Sequence, residues 1–202
     1  MSGRHEVHAT EGLVKPQDSI LIVIDVQAAF ARKLPPADAR AIAARTGWLV
    51  GAARWLNIPV LTTAEDLPRL GGPIEEVAKW LPAGTLVHNK MVFDLTEESD
   101  ILKAVRDTGR HCAVLVGFET DVCVAQSAIG MIRRGYRVVA LADCTGSPGS
   151  AHAAGLQRMA AEGVLILPLR SLLYEWLRTV ERSQRFREEF VSQHPLPEGL
   201  IM

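Results

Sequence analysis

Residues 117–124 read GFETDVCV, which sets a thiol, Cys123, beside an acidic, turn-like step at the end of the apolar run AVLVG. If AVLVG is a strand and VCVAQSAIGMIRRG a helix, the thiol lies in the helix's first turn, where unpaired amides and the macrodipole favour a thiolate. Two more reactive groups follow apolar runs in the same way: Asp25 closes ILIVID and Lys90 comes after LVHN. A carboxylate at the end of an apolar strand either sits at the sheet's carboxyl edge or bears a heavy burial penalty, so Asp25 is a candidate base. Singly, each residue has an ordinary reading as a space-filling thiol, a turn aspartate and a surface lysine. Together, base, cation and thiol match the needs of nucleophilic catalysis, with Lys90 and the helix terminus expected to lower the pKa of Cys123.

Six short β-rich runs position these groups: SILIVIDV from Ser19, IPVLTT from Ile58, GTLVH from Gly84, CAVLVG from Cys112, RVVALAD from Arg137 and GVLILP from Gly163. They are continuously apolar, as expected of strands covered on both faces. Alanine-rich helical stretches separate most of them, including ADARAIAARTGWLVGAARWLN from Ala37 and SAHAAGLQRMAAEG from Ser150. Strand, helix, strand in repetition predicts right-handed crossovers and an α/β fold: a three-layer α/β/α sandwich around a mainly parallel six-stranded sheet of Rossmann type. Residues 1–202 show no linker-like shift, repeat or low-complexity tract, so one domain is expected. The tail RSLLYEWLRTVERSQRFREEFVSQ reads as helical throughout, with Leu172, Leu173, Trp176 and Leu177 on one side to pack against the sheet or a second subunit. In such sheets ligands collect beyond the carboxyl ends of the strands, where Asp25, Lys90, Cys123 and Asp143 all fall. Asp143 and Thr145 read as caps for the helix that follows, and Cys112 and Cys144 as structural.

Composition narrows the partners. Of 202 residues 48% are hydrophobic, enough for a well-buried core, and 22 basic against 23 acidic residues leave no field to gather nucleic acid or anionic lipid. A small-molecule substrate fits better than nucleic acid or a membrane. The N-terminal MSGRHEVHATEGLVKPQDS lacks the apolar stretch of a leader, and no run is long enough to span a bilayer, which predicts a cytoplasmic protein. Three cysteines without a CxxC pair suggest neither a disulfide framework nor a thiolate zinc site.

The segments LIVIDVQAAF, HNKMVF and GFETDVCVAQSAIGMIRRGYRVVALADCT resemble the isochorismatase-like cysteine hydrolases, a family that includes nicotinamidases and other small-amide amidases. The resemblance runs along nearly the whole chain. It implies a catalytic set of Asp25, Lys90 and Cys123, with the backbone amides of Glu119 and Cys123 as an oxyanion hole and a cis peptide between Phe118 and Glu119. It implies hydrolysis of a small amide C–N bond through a thioester, no cofactor, and a dimer or tetramer of identical chains. The alternative is a family member that binds a small ligand without turnover or senses oxidation through the same thiol. Phe30, Phe93 and Asp94 are expected at the substrate, the two aromatics walling the pocket as aromatics do in relatives and Asp94 adding a negative charge where relatives commonly carry serine. Nicotinamidases hold a divalent ion through an Asp-x-His segment and further histidines after the second strand. This chain reads LTTAEDLPRLGGPIEE there, with no histidine between His8 and His88. Glu65, Asp66, Glu75 and Glu76 are therefore read as a solvated acidic edge, His88, His111 and His152 as packing or capping residues, and no metal is expected.

Overall fold

The computed structural model describes residues 12–202; the N-terminal reading over residues 1–11, His8 included, lies outside the described residues. Six strands form one sheet: β1 Ser19–Ile24, β2 Val60–Glu65, β3 Val87–Lys90, β4 Cys112–Phe118, β5 Arg137–Gly146 and β6 Leu165–Leu167. Their order is β3-β2-β1-β4-β5-β6, and every neighbouring pair is parallel. The helices are α1 Ala28–Ala31, α2 Pro36–Trp55, α3 Leu67–Leu70, α4 Glu75–Ala78, α5 Ser99–Asp107, α6 Ala125–Arg133, α7 Ala151–Ala161, α8 Leu169–Leu177 and α9 Val180–Phe186. The expected three-layer α/β/α sandwich is what forms.

Strand alternation explains the two apolar layers. Leu21 and Val23 of β1, with Val114, Val116, Val139 and Leu141, point to one side and meet α2, α8 and α9. Ile20, Ile22 and Ile24, with Ala113, Leu115 and Ala140, point to the other and meet α5, α6 and α7. Every residue of β1 is buried, as a central strand covered on both faces must be. Among the described residues no helix is long and apolar enough to cross a membrane.

Three local expectations change. The tail is not one helix: Arg178 takes φ +69° and ψ −40°, and the Thr179 hydroxyl accepts from the amide of Arg182 to start α9. Leu172, Leu173, Trp176 and Leu177 are all fully buried within the chain, and the Trp176 indole donates to the Ser19 hydroxyl at 3.1 Å. Asp143 does not cap α7; its Oδ1 accepts from the amide of Leu169 at 2.7 Å and so caps α8, because β5 runs on through Gly146. Thr145 instead turns inward and donates to the Leu141 carbonyl.

Candidate active site

β1 lies near the middle of the sheet. The chain first winds outward through β2 to β3, then returns to lay β4 on the other side of β1. The order reverses there, opening the carboxyl-end crevice where doubly wound sheets bind ligands. Asp25 follows β1 directly, Glu65 and Lys90 end β2 and β3, and the turn after β4 carries Cys123.

Glycine lets the two central strands close in this way. Gly117 adopts φ +124°, and a side chain there would collide with the Ile24 carbonyl. The peptide bond that follows, Phe118–Glu119, is cis. Thr120–Val124 forms a single π-helical turn leading into α6, so Cys123 sits one turn ahead of the regular helix. Helix α7 clamps this turn at Gly155, whose Cβ, if present, would lie 2.8 Å from the Asp121 backbone. Asp121 accepts from the Ser147 hydroxyl at 2.6 Å, and Thr120 lies 2.9 Å from His152 Nδ1. Burial lowers the pKa of that histidine.

Asp25 holds φ +50°, a region few non-glycine residues occupy and one that clusters at functional sites. Its Oδ1 accepts from the Thr63 hydroxyl at 2.8 Å, and its Oδ2 pairs with Lys90 Nζ at 2.6 Å. Lys90 also donates to the Val92 carbonyl at 3.1 Å and reaches Cys123 Sγ at 3.5 Å. The structure therefore brings Asp25, Lys90 and Cys123 together, all of them buried. Lys90 is the last residue of β3 and wholly enclosed, more deeply placed than a strand-end lysine suggests.

Electrostatics correct one expectation. Burial, then the charges of Asp25 and Glu65, push the Cys123 thiol up, with Lys90 opposing. The helix terminus and lysine do not make a resting thiolate, because the pocket that shields the sulfur also withdraws it from water. Burial likewise raises Cys112 to about 12 and Cys144 well above the ordinary thiol range. Asp25 is raised by burial, with Lys90 and Thr63 partly offsetting it. Lys90 is raised although burial works against its charge, because Asp25, Cys123 and Glu65 surround it.

Glu65 is the member that sequence reasoning left out. It is not part of a solvated edge with Asp66, Glu75 and Glu76: its Oε2 lies 3.5 Å from Sγ and 3.8 Å from Lys90 Nζ. The available signal was its place at the end of the second run, the same rule that picked Asp25 and Lys90. Asp25, Glu65 and Cys123 present ligand atoms all within 4.8 Å of one another, a spacing that could hold a metal ion. The Lys90 ammonium already stands among them, and a divalent cation would have to share the space with a like charge.

The expected substrate contacts are dispersed. Phe30 is 4% exposed and packs in the core under α2, with the Lys33 ammonium over its ring and that lysine paired to Glu119 at 2.7 Å. Phe93 is half-exposed directly beyond Lys90. Its carbonyl accepts from Ser127 at 3.2 Å, which ties this loop to α6. Asp94 accepts the amide and hydroxyl of Thr96 on one carboxylate oxygen, which makes it a cap for the next turn. Of the histidines, His88 lies 3.8 Å from Asp100 and His111 lies 3.4 Å from Asp18.

Residues 19–170 match the profile of the isochorismatase domain. The chain belongs to the isochorismatase family. It is 30% identical over 171 residues to the secreted isochorismatase effector Isc1 of Phytophthora sojae, covering 81% of this chain and 79% of that one. It is 28% identical to isochorismatase domain-containing protein 2 of Rattus norvegicus, over 96% and 90% of the two chains. Among solved structures it resembles YcaC of Pseudomonas aeruginosa, described with hexane-2,5-diol and covalent acrylamide, at 23% identity and a TM-score of 0.77 over 85% and 86% of the chains. It also resembles the YcaC gene product of Escherichia coli, described as an octameric hydrolase of unknown specificity, at 21% identity and a TM-score of 0.78 over 91% of each chain. These likenesses agree on the isochorismatase α/β fold, and the profile spans all six strands.

Proposed function

We propose that this isochorismatase-family chain is a cysteine hydrolase that opens the C–N bond of a small amide through a thioester, without metal or other cofactor, residues 1–202 acting as one domain. The observation that carries the reading is the contact of Lys90 Nζ with both Asp25, at 2.6 Å, and Cys123 Sγ, at 3.5 Å, at the crevice where the sheet order reverses. A raised thiol pKa suits transfer of its proton to Asp25 during attack better than a standing thiolate. Sγ bonds to the carbonyl carbon as that proton moves, and the amides of Glu119 and Cys123 receive the oxyanion. Asp25 hands the proton to the leaving nitrogen and the C–N bond breaks. Water then attacks the thioester and gives a proton to Asp25, and the carboxylic acid departs as the thiol is restored.

In this reading the enzyme works in the cytoplasm, where its three free cysteines stay reduced. It assembles from identical chains, a role suited to the exposed Met91, Val92 and Phe93 beside the site; Phe93 walls the substrate pocket. The test is a panel of small primary and secondary amides, scored for amine release and for a Cys123 acyl adduct by mass spectrometry, alongside elemental analysis of dialysed protein. Turnover with an acylated Cys123 and no stoichiometric metal is expected. Reversible peroxide oxidation of Cys123 with no turnover would favour a redox sensor. Chelator-sensitive nicotinamide hydrolysis with one bound transition metal would replace the mechanism.

A further inference from the structure

Glu65 is the member of the four-residue cluster that reaches solvent: its side chain is 20% exposed and that of Lys90 0%, while Asp25 and Cys123 are buried. The closer partner of Lys90 is Asp25, so those two charges offset each other inside the protein. Neighbouring carboxylates have near cations of their own, Asp66 holding Arg69 at 2.5 Å and Glu119 holding Lys33 at 2.7 Å. Among the described residues the one salt bridge of Glu65 is the longer contact with the Lys90 ammonium, 3.8 Å away, and the Arg69 guanidinium that pairs with Asp66 also feels its charge. Its backbone is nevertheless fixed with care. The side-chain amide of buried Gln27 accepts from the Glu65 N–H and donates to the Glu65 carbonyl, both at 2.9 Å, and also donates to the Gly71 carbonyl at 2.7 Å. The Gln27 backbone N–H donates to the Asp25 carbonyl at 2.7 Å, but its side-chain hydrogen bonds go to Glu65 and Gly71 alone; what that side chain positions is a carboxylate 3.5 Å from Sγ, on the solvent side.

A molecule approaching the sulfur from solvent meets that carboxylate, which accepts hydrogen bonds, attracts positive charge and repels negative. We propose that Glu65 is the specificity-determining residue of this site. Its carboxylate accepts N–H groups from the nitrogen side of the substrate. The site therefore favours amides bearing several N–H donors or a positive charge next to the reacting carbonyl, and rejects those bearing a carboxylate there. This rests on Cys123 as the nucleophile and adds the substrate class.

The test uses three small alkylating agents, 2-bromoethylamine, iodoacetamide and iodoacetate, which are cationic, neutral with N–H donors, and anionic. In each case an Sγ–C bond forms, halide leaves, and the thiol proton passes to a base of the site. Rates at Cys123, read by peptide mass analysis at low salt, are divided by the rates with free cysteine to remove intrinsic reactivity. The native chain should prefer them in the order given. Glu65→Gln should shrink the ratio of cationic to anionic labelling about tenfold, a discounted Coulomb effect for a group partly open to water. Glu65→Asp, which keeps the charge but withdraws it by one methylene, should keep the order with a smaller ratio, and it carries the test if Glu65→Gln fails to fold. An unchanged ratio, or an equal fall with all three reagents, overturns the proposal. No labelling of Cys123 by any reagent overturns both it and the nucleophile assignment. The expected charge order without turnover of any amide would defeat the amidase reading and leave the selectivity of Glu65 standing.

Discussion

Cys123 and Asp25 both hold their protons more tightly than the free side chains do, and this sets the pH behaviour. In the proposed mechanism Asp25 acts as a base in its unprotonated form, so activity is lost as pH falls through its raised value. The rising limb of kcat/KM should therefore lie above the ordinary aspartate range. Asp25→Asn should remove that limb and lower turnover by about 10² to 10⁴, the usual scale for a general acid–base group. A limb within the ordinary range, or one that persists in Asp25→Asn, would assign the base elsewhere. Lys90 raises a different matter. As a strand-end residue it would tolerate replacement, but it is fully enclosed beside Asp25. Removing one partner of a buried ion pair leaves the other uncompensated, typically a loss on the order of 3 kcal/mol. Lys90→Ala should thus lose activity and also unfold at distinctly lower urea, and Asp25→Asn/Lys90→Met should regain much of the stability with no activity. Equal urea midpoints for native and Lys90→Ala would show that the pair carries no such stabilising role.

At the level of elements, the placement of the proposed nucleophile depends on how closely α7 approaches the π turn over Thr120–Val124. A glycine inside a helix is normally improved by alanine, by about 1 kcal/mol. Gly155 is the opposite case, because a methyl group there would stand 2.8 Å from the Cα and N of Asp121, backbone atoms that cannot rotate away. Gly155→Ala should push the turn off α7 and shift Cys123 relative to Lys90. About tenfold or more in kcat should go, since small misplacements of reacting groups are costly, while the far-ultraviolet spectrum stays native. Wild-type kcat in Gly155→Ala would mean that the turn has slack the packing does not suggest.

For the whole molecule, the proposed assembly should appear in light scattering as a mass that is a multiple of 22.0 kDa, and Met91→Ser with Phe93→Ser should reduce it. A native mass equal to one chain would end that proposal. Much of the molecule was legible without coordinates. Short apolar runs rich in β-branched residues and bounded by turn residues read as strands, so the runs from Ser19 to Gly163 pointed to six strands, and the intervening helices to parallel order, although the edge strands β3 and β6 are only partly buried. Asp25, Lys90 and Cys123 were readable because each ends or follows such a run, and a parallel sheet gathers those ends at one edge. What lies between the elements was not. The helix break at Arg178 and the cap from Asp143 to Leu169 both depend on how the elements pack in the fold. Local pattern carries no information about such partners. The same holds for the state of the thiol: residue types at a helix start argue for a thiolate, and only the burial created by packing reverses the sign. Glu65 shows the division most plainly. Its charge and its place after a strand were present in the sequence, but whether it faced water with Asp66 or the sulfur with Lys90 was decided by Gln27, a side chain 38 residues away that grips its backbone.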